Sequence, residues 1–209
     1  MMPLLICDQR LADELIAQRQ AFGGDRFDEV WDGVYVMSPA PNIEHQNLAS
    51  KIGGIIMSRV DWNDQGLTLV GANVSDNEDD WTKNYRVPDV LVFKKNTLAI
   101  NKETHWLGGP DLAIEIVSKG DKTLEKLDFY ASVGTEELLV VDRHPWELTM
   151  YRRTSASEMK IASTSNLMNS NSMASTIFPL QFRLSSMTTS LEILDETGKL
   201  IRAIPIQVK

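Results

Sequence analysis

YRVPDVLVF (85–93), GGPDLAIEIVS (108–118), DKTLEKLDFYASVG (121–134) and EELLVVD (136–142) follow one another through the middle of the chain, and their order decides the fold. Two apolar runs, one amphipathic stretch and a third apolar run read as strand, strand, helix, strand. Two of these runs carry an acid where an apolar residue belongs. Asp89 opens directly onto Val90, Leu91, Val92 and Phe93, and Glu115 stands between Ile114 and Ile116. Burying an ionised carboxylate is costly unless a basic partner, a cation or a working site compensates it. The two acids are therefore the first candidates for a site.

Asp111 and Glu115 fall on one face of a strand, but four residues of extended chain separate them by about 13 Å, too far to share one ion. Asp111, after Gly-Gly-Pro, reads as a strand-start or turn residue. Asp89 and Glu115 meet only if their strands pair, as sequential strands commonly do.

Upstream, residues 10–21 place Leu11, Leu15 and Ile16 at helical spacing, with Asp8 as a candidate cap and Gly23-Gly24 as a stop. RFDEVWDGVYVMS alternates around Asp32-Gly33, a dipeptide suited to a hairpin turn. After Pro39 and Pro41, Asn42 caps a predicted helix whose buried face runs through Leu48, Ile52, Ile55 and Ile56; Gly53-Gly54 inside it implies close packing or an early break. Glu44 and His45 lie in its first turn. Glu44 reads either as an exposed acid favoured by the helix dipole or as an acid aimed at those of the sheet.

LTLVG (67–71) is a candidate strand, and SDNEDDW (75–81) is a solvated acidic loop whose spacing fits no calcium loop. Downstream, WELTMYRR and MKIAS read as strands, STSNLMNSNSMAST (163–176) as a mobile loop, and residues 177–209 as C-terminal strands that include a terminal hairpin around Glu196 to Lys199.

With 209 residues, 43% apolar and 24% charged, the chain is expected to form one globular domain. Its apolar runs are far too short to span a bilayer, and the start MMPLLICD lacks a secretory pattern, so a cytoplasmic protein without a membrane partner is expected. Cys7, the single cysteine, rules out an internal disulfide and thiolate metal clusters, and reads as a plain thiol. His105 and His144 show no ligand spacing with His45. A net charge of −8 argues against a broadly basic nucleic-acid surface but leaves local patches such as Lys119, Lys122 and Lys126.

RVPDVLVF, DLAIEIVS, the EKLDFY helix and EELLVVD, with RFDEVWDGVYVMSPAPNIEHQ upstream, resemble the family of small bacterial putative restriction endonucleases within the PD-(D/E)xK nuclease superfamily. The resemblance covers roughly residues 26–153. It implies an α/β fold: a restriction-endonuclease-like core with a mixed sheet flanked by helices, to which an N-terminal hairpin and C-terminal strands are added. It also implies a metal-dependent endonuclease acting on DNA with Mg²⁺ or Mn²⁺. Asp89 and Glu115 correspond to its metal-binding acids, Lys126 to its helix lysine and Tyr130 to the tyrosine one turn later. On this reading Glu44 is an auxiliary acid and His45 a further auxiliary residue.

Phosphodiester hydrolysis builds negative charge around phosphorus, which a cation on hard oxygen ligands stabilises and a nearby lysine supplements. Val117 stands two residues after Glu115 where the superfamily pattern has lysine, so Lys126 is expected to supply that charge, with Lys119 and Lys122 as weaker substitutes; read without the resemblance, Lys126 is equally an exposed lysine. The missing strand lysine and the acidic composition favour a second reading, a catalytically silent nucleic-acid or protein-binding module on the same scaffold. A homodimer is expected, as cutting both strands commonly uses two sites across a two-fold axis.

Overall fold

In the computed structural model of the chain, residues 9–118, 120 and 122–208 are described; Cys7, the Asp8 cap and Lys119 lie outside them. A six-stranded mixed sheet forms the centre, in the order Glu158–Asn166, Trp146–Ser155, Glu137–Arg143, Leu112–Ile116, Val90–Lys94, Gly66–Val70. All neighbours are antiparallel except Leu112–Ile116 with Glu137–Arg143, the pair bridged by the helical crossover.

Strand alternation gives this sheet two different faces. Val90, Val92, Leu112, Ile114 and Ile116 point to one side, against Leu48, Ile52, Ile56 and Val60 of the long helix Ile43–Val60 and against Phe182, Leu184 and Ile193 of a C-terminal sheet. Leu91, Phe93, Ala113, Leu138 and Val140 point to the other side, against Phe129, Tyr130, Ala131 and Trp106. Asp89 and Glu115 precede Leu91 and follow Ala113 by two residues. Both acids therefore belong to this second face.

Helix α1 (Gln9–Ala21) leads the chain. Helix α2 (Ile43–Val60) starts at Asn42, whose side chain accepts the His45 amide at 2.8 Å. It runs unbroken through Gly53-Gly54, and at Gly53 a Cβ would lie 2.7 Å from Val70 Cγ2, so close packing is what the glycine serves. A 3-10 turn, Thr123–Lys126, leads into the short helix α3 (Leu127–Ser132).

The Asp32-Gly33 hairpin forms as read, both residues at positive φ, between Glu29–Trp31 and Val34–Val36. It is the edge of a second six-stranded sheet that also contains Tyr85–Arg86, Val74–Ser75, Trp106–Leu107 and Ile100–Asn101. The C-terminal sheet comprises Met173–Ala174, Leu180–Ser185 and the hairpin Ser190–Asp195 with Leu200–Pro205.

The stretch 163–176, expected as a mobile loop, contains parts of two strands, 163–166 and Met173–Ala174, with turns between them. Residues 163–166 extend a strand, Met173 is buried, Asn166 Oδ1 accepts the amides of Met168 and Asn169, and Ser175 and Thr176 bind Glu137. Aperiodic Ser and Asn side chains here close turns by bonding to nearby backbone. Among the described residues, no helix is long and apolar enough to cross a membrane.

Candidate active site

Val90 pairs with Ile114, so one step further along the same antiparallel register sets Asp89 opposite Glu115. The Ile116 amide donates to Asp89 Oδ2 at 2.7 Å, tying the two strands at that point. His45, in the first turn of α2, reaches Asp89 Oδ1 with Nε2 at 2.7 Å and Ser118 Oγ with Nδ1 at 3.2 Å.

Glu115 is buried, and Lys126 Nζ and Tyr130 Oη both donate to its Oε1, at 2.9 and 2.5 Å. Lys126 ends the 3-10 turn and Tyr130 follows one helical turn later, so both reach the sheet from the same side. A third carboxylate completes the group: Glu29 Oε1 accepts from Lys126 Nζ at 2.9 Å. Glu29 is itself fixed by the Val87 amide at 2.9 Å and the Trp31 indole N–H at 2.7 Å. Lys126 is thus a buried ammonium held between two carboxylates, with a third acid alongside.

The electrostatics follow from burial. Loss of water pushes the Glu115 carboxyl up to about 8, against the pull of Lys126 and with added repulsion from Asp89 and Glu29. Burial works to lower the Lys126 pKa, but Glu115 and Glu29 outweigh it and hold the ammonium charged, above its ordinary value. Burial, then Glu115, pushes the Tyr130 hydroxyl well up, so it remains a donor. Asp89, Glu115, Glu29 and Lys126 line a cleft of about 350 Å³ together with His45, Ser118 and Lys122.

Glu44, one residue before His45, turns elsewhere. Its partly exposed carboxylate meets Arg143 Nη1 at 3.4 Å, and Arg143 bonds Val117 O and Ser118 Oγ. One residue is about 100° on a helix, enough to give His45 the inward position. Asp111 is a structural acid, accepting the Lys94 amide at 2.7 Å and pairing with Lys94 Nζ at 3.1 Å. His105 stacks on Trp81 at 5.0 Å, away from the site.

Sequence reasoning passed over Glu29, Ser118 and Arg143. A signal for Glu29 existed: it shares one side of its strand with Phe27 and Trp31, which puts an acid on an apolar side, as at Glu115. Ser118 and Arg143 carried none.

Among the described residues, no group of three His, Cys, Asp or Glu forms a ready metal cage. Two adjacent carboxylates nevertheless fit Mg²⁺ or Mn²⁺. Mg²⁺ is commonly held by one or two carboxylates with waters and substrate phosphate completing the shell. Nothing among the described residues donates a hydrogen bond to Glu115 Oε2, and the raised Glu115 pKa marks a carboxylate short of positive charge.

A family described as Uma2, putative restriction endonuclease, matches residues 14–187. Among solved structures, a putative nuclease belonging to DUF820 from Anabaena variabilis ATCC 29413 is similar at 20% identity and a TM-score of 0.53, over 64% of this chain and 75% of that one. That likeness is one of fold. No curated protein matches the chain.

Proposed function

The chain belongs to the Uma2 family of putative restriction endonucleases, and from that premise we propose that it is a nuclease hydrolysing DNA phosphodiester bonds with Mg²⁺ or Mn²⁺ at Asp89 and Glu115. The observation that carries this is the pairing of those two acids on facing strands with Lys126 buried between Glu115 and Glu29. Outside a reactive site, burying one ammonium between two carboxylates with a third acid beside them is an expensive way to fill a protein interior.

Each residue has a task on this reading. Asp89 and Glu115 hold the cation, which when bound polarises phosphate oxygens and lowers the pKa of water. Lys126 has three N–H donors and spends two on Glu115 and Glu29, leaving one for a substrate oxygen in the cleft. Its fixed charge is in place before the phosphoryl charge develops, so the site has little reorganising to do. Tyr130 and Glu29 hold Lys126 and Glu115 in register. His45 orients Asp89. Glu44 acts at one remove, through Arg143 and Ser118.

The test is cleavage of supercoiled plasmid and of linear oligonucleotides with Mg²⁺ or Mn²⁺, beside an Asp89→Ala control. Both Asp89 oxygens already accept hydrogen bonds within the protein, which favours the silent binding module. Binding of DNA without metal-dependent cleavage would decide for it. A homodimer is the assembly that simultaneous cutting of both strands would need, and sedimentation at micromolar concentration tests it.

A further inference from the structure

Besides the acids and Lys126, the active-site cleft is lined by apolar side chains: Phe27, Trp31, Val36, Met37 and Pro39. Trp31 is held in place on several sides, and Lys122 Nζ lies 5.8 Å from its ring centre. Its indole N–H donates to Glu29 at 2.7 Å, and the Arg86 guanidinium lies 4.7 Å from its ring centre, wedged against Phe129 at 4.2 Å on its other side. Trp31 is only half-buried and lines the cleft, so a fixed aromatic ring borders the reactive groups. The catalytic chemistry of the acids and lysine makes no use of these apolar side chains.

A cleft of about 350 Å³ lies at the low end of the range that encloses a small molecule, and is far smaller than a duplex segment. Glu115 is nearly covered, with its side chain 6% exposed, so a phosphate must enter the cleft to meet it. A duplex carries its phosphates on its outside, but it cannot lay a base against Trp31 without unpairing that nucleotide, at a cost of a few kcal/mol that an unpaired strand does not incur. The chain's net charge of −8 also works against the broad phosphate grip on which duplex binding depends. Stacking of bases on an aromatic ring gives an unpaired strand a source of affinity that a duplex, with its bases already stacked, does not have.

We propose, resting on the nuclease reading, that the substrate is unpaired DNA, a single strand or a flap, with one base stacked against Trp31 and its phosphate directed to Lys126 and the two acids. A single unpaired strand requires one site only, so this cleavage does not depend on a homodimer.

The experiment is fluorescence anisotropy of the full chain with a labelled single-stranded oligonucleotide and its blunt duplex, in EDTA, with a 2-aminopurine version to report stacking. Single-strand binding at least about tenfold tighter than duplex, with quenching of 2-aminopurine, is expected. Trp31→Ala should weaken single-strand binding about tenfold, the loss of one aromatic partner, while Trp31→Phe restores most of it. Should Trp31→Ala fail to fold by circular dichroism, Phe27→Ala should weaken the same binding severalfold. Equal affinity for duplex and single strand, or an unchanged affinity in folded Trp31→Ala and Phe27→Ala, overturns the proposal. The nuclease reading is judged apart: plasmid cleavage without single-strand preference leaves it standing while this inference falls. Trp31-dependent binding with no metal-dependent cleavage does the reverse.

Discussion

Glu115 and Glu137 are buried carboxylates on adjacent parallel strands, three register positions apart and on opposite faces of one sheet, yet their surroundings differ in kind. Glu137 is met by donors on all sides: Arg152 Nε, the Thr176 amide and Thr176 Oγ1 at 2.9 Å each on Oε1, and Ser175 Oγ at 2.6 Å on Oε2. No other acid is among these partners. Glu115 shares its space with Asp89 and Glu29, has one oxygen doubly bonded, and opens to a cleft. A buried acid that holds a fold together is saturated with donors. Glu115, the proposed catalytic acid, is crowded by like charge and has one oxygen without a donor among the described residues.

The sharpest way to break this contrast is to neutralise each acid in turn. Glu115→Gln should reduce cleavage by about a thousandfold or more, roughly 4 kcal/mol of transition-state stabilisation, with no loss of folding stability. Glu137→Ala should do the opposite, costing roughly 3 kcal/mol of stability by stranding Arg152, Ser175 and Thr176, with cleavage per folded molecule retained. Urea unfolding and plasmid cleavage on both variants check this, and comparable stability losses would dissolve the distinction.

Metal should discriminate the two clusters next. A cation binding only the folded acids stabilises the parent by about 2.7 kcal/mol at a hundredfold excess over its dissociation constant. Asp89→Asn should be at least as stable as the parent without metal and lose most of that gain. Lys126→Met should keep the gain while losing cleavage by about a hundredfold. Thermal melts with Mn²⁺ provide the measurement. An unchanged melting temperature in the parent at millimolar Mn²⁺ would remove the two acids as a metal site.

The pH dependence carries a smaller signal. The Glu115 carboxyl is raised from an ordinary 4.5 to about 8 by burial, so between those values the folded protein keeps a proton that the unfolded chain has released. Its contribution therefore lowers the stability of metal-free protein as pH rises through that window, and the decline ends above it. Stability of Glu115→Gln measured from pH 5 to 8 should fall less steeply than that of the parent. Identical slopes would mean that Glu115 titrates as an exposed acid does.

The smallest effect belongs to Glu44→Gln. Its carboxylate is 41% exposed and its partner Arg143 keeps Val117 and Ser118, so stability should change by no more than about 0.5 kcal/mol. Cleavage should fall far less than in Glu115→Gln. A loss as large as that of Glu115→Gln would place Glu44 with the working acids.

Sequence by itself determined the local parts of this protein. Alternating or continuous apolar runs marked the central strands, Asn42 marked the start of α2, Asp32-Gly33 marked the hairpin, and acids inside apolar runs marked Asp89 and Glu115. Each is a short-range signal, written in the spacing of neighbouring residues. Tertiary structure alone decided which side chains converge. Lys126 meets Glu29 across 97 positions of chain and His45 meets Asp89 across 44, because sheet register and helix docking bring those segments together. His45 faces inward where Glu44 does not, an outcome set by how α2 is rotated against the sheet. The Ser- and Asn-rich stretch lacked any period because its side chains bond to backbone and to Glu137, and such bonds depend on where the partner lies in space.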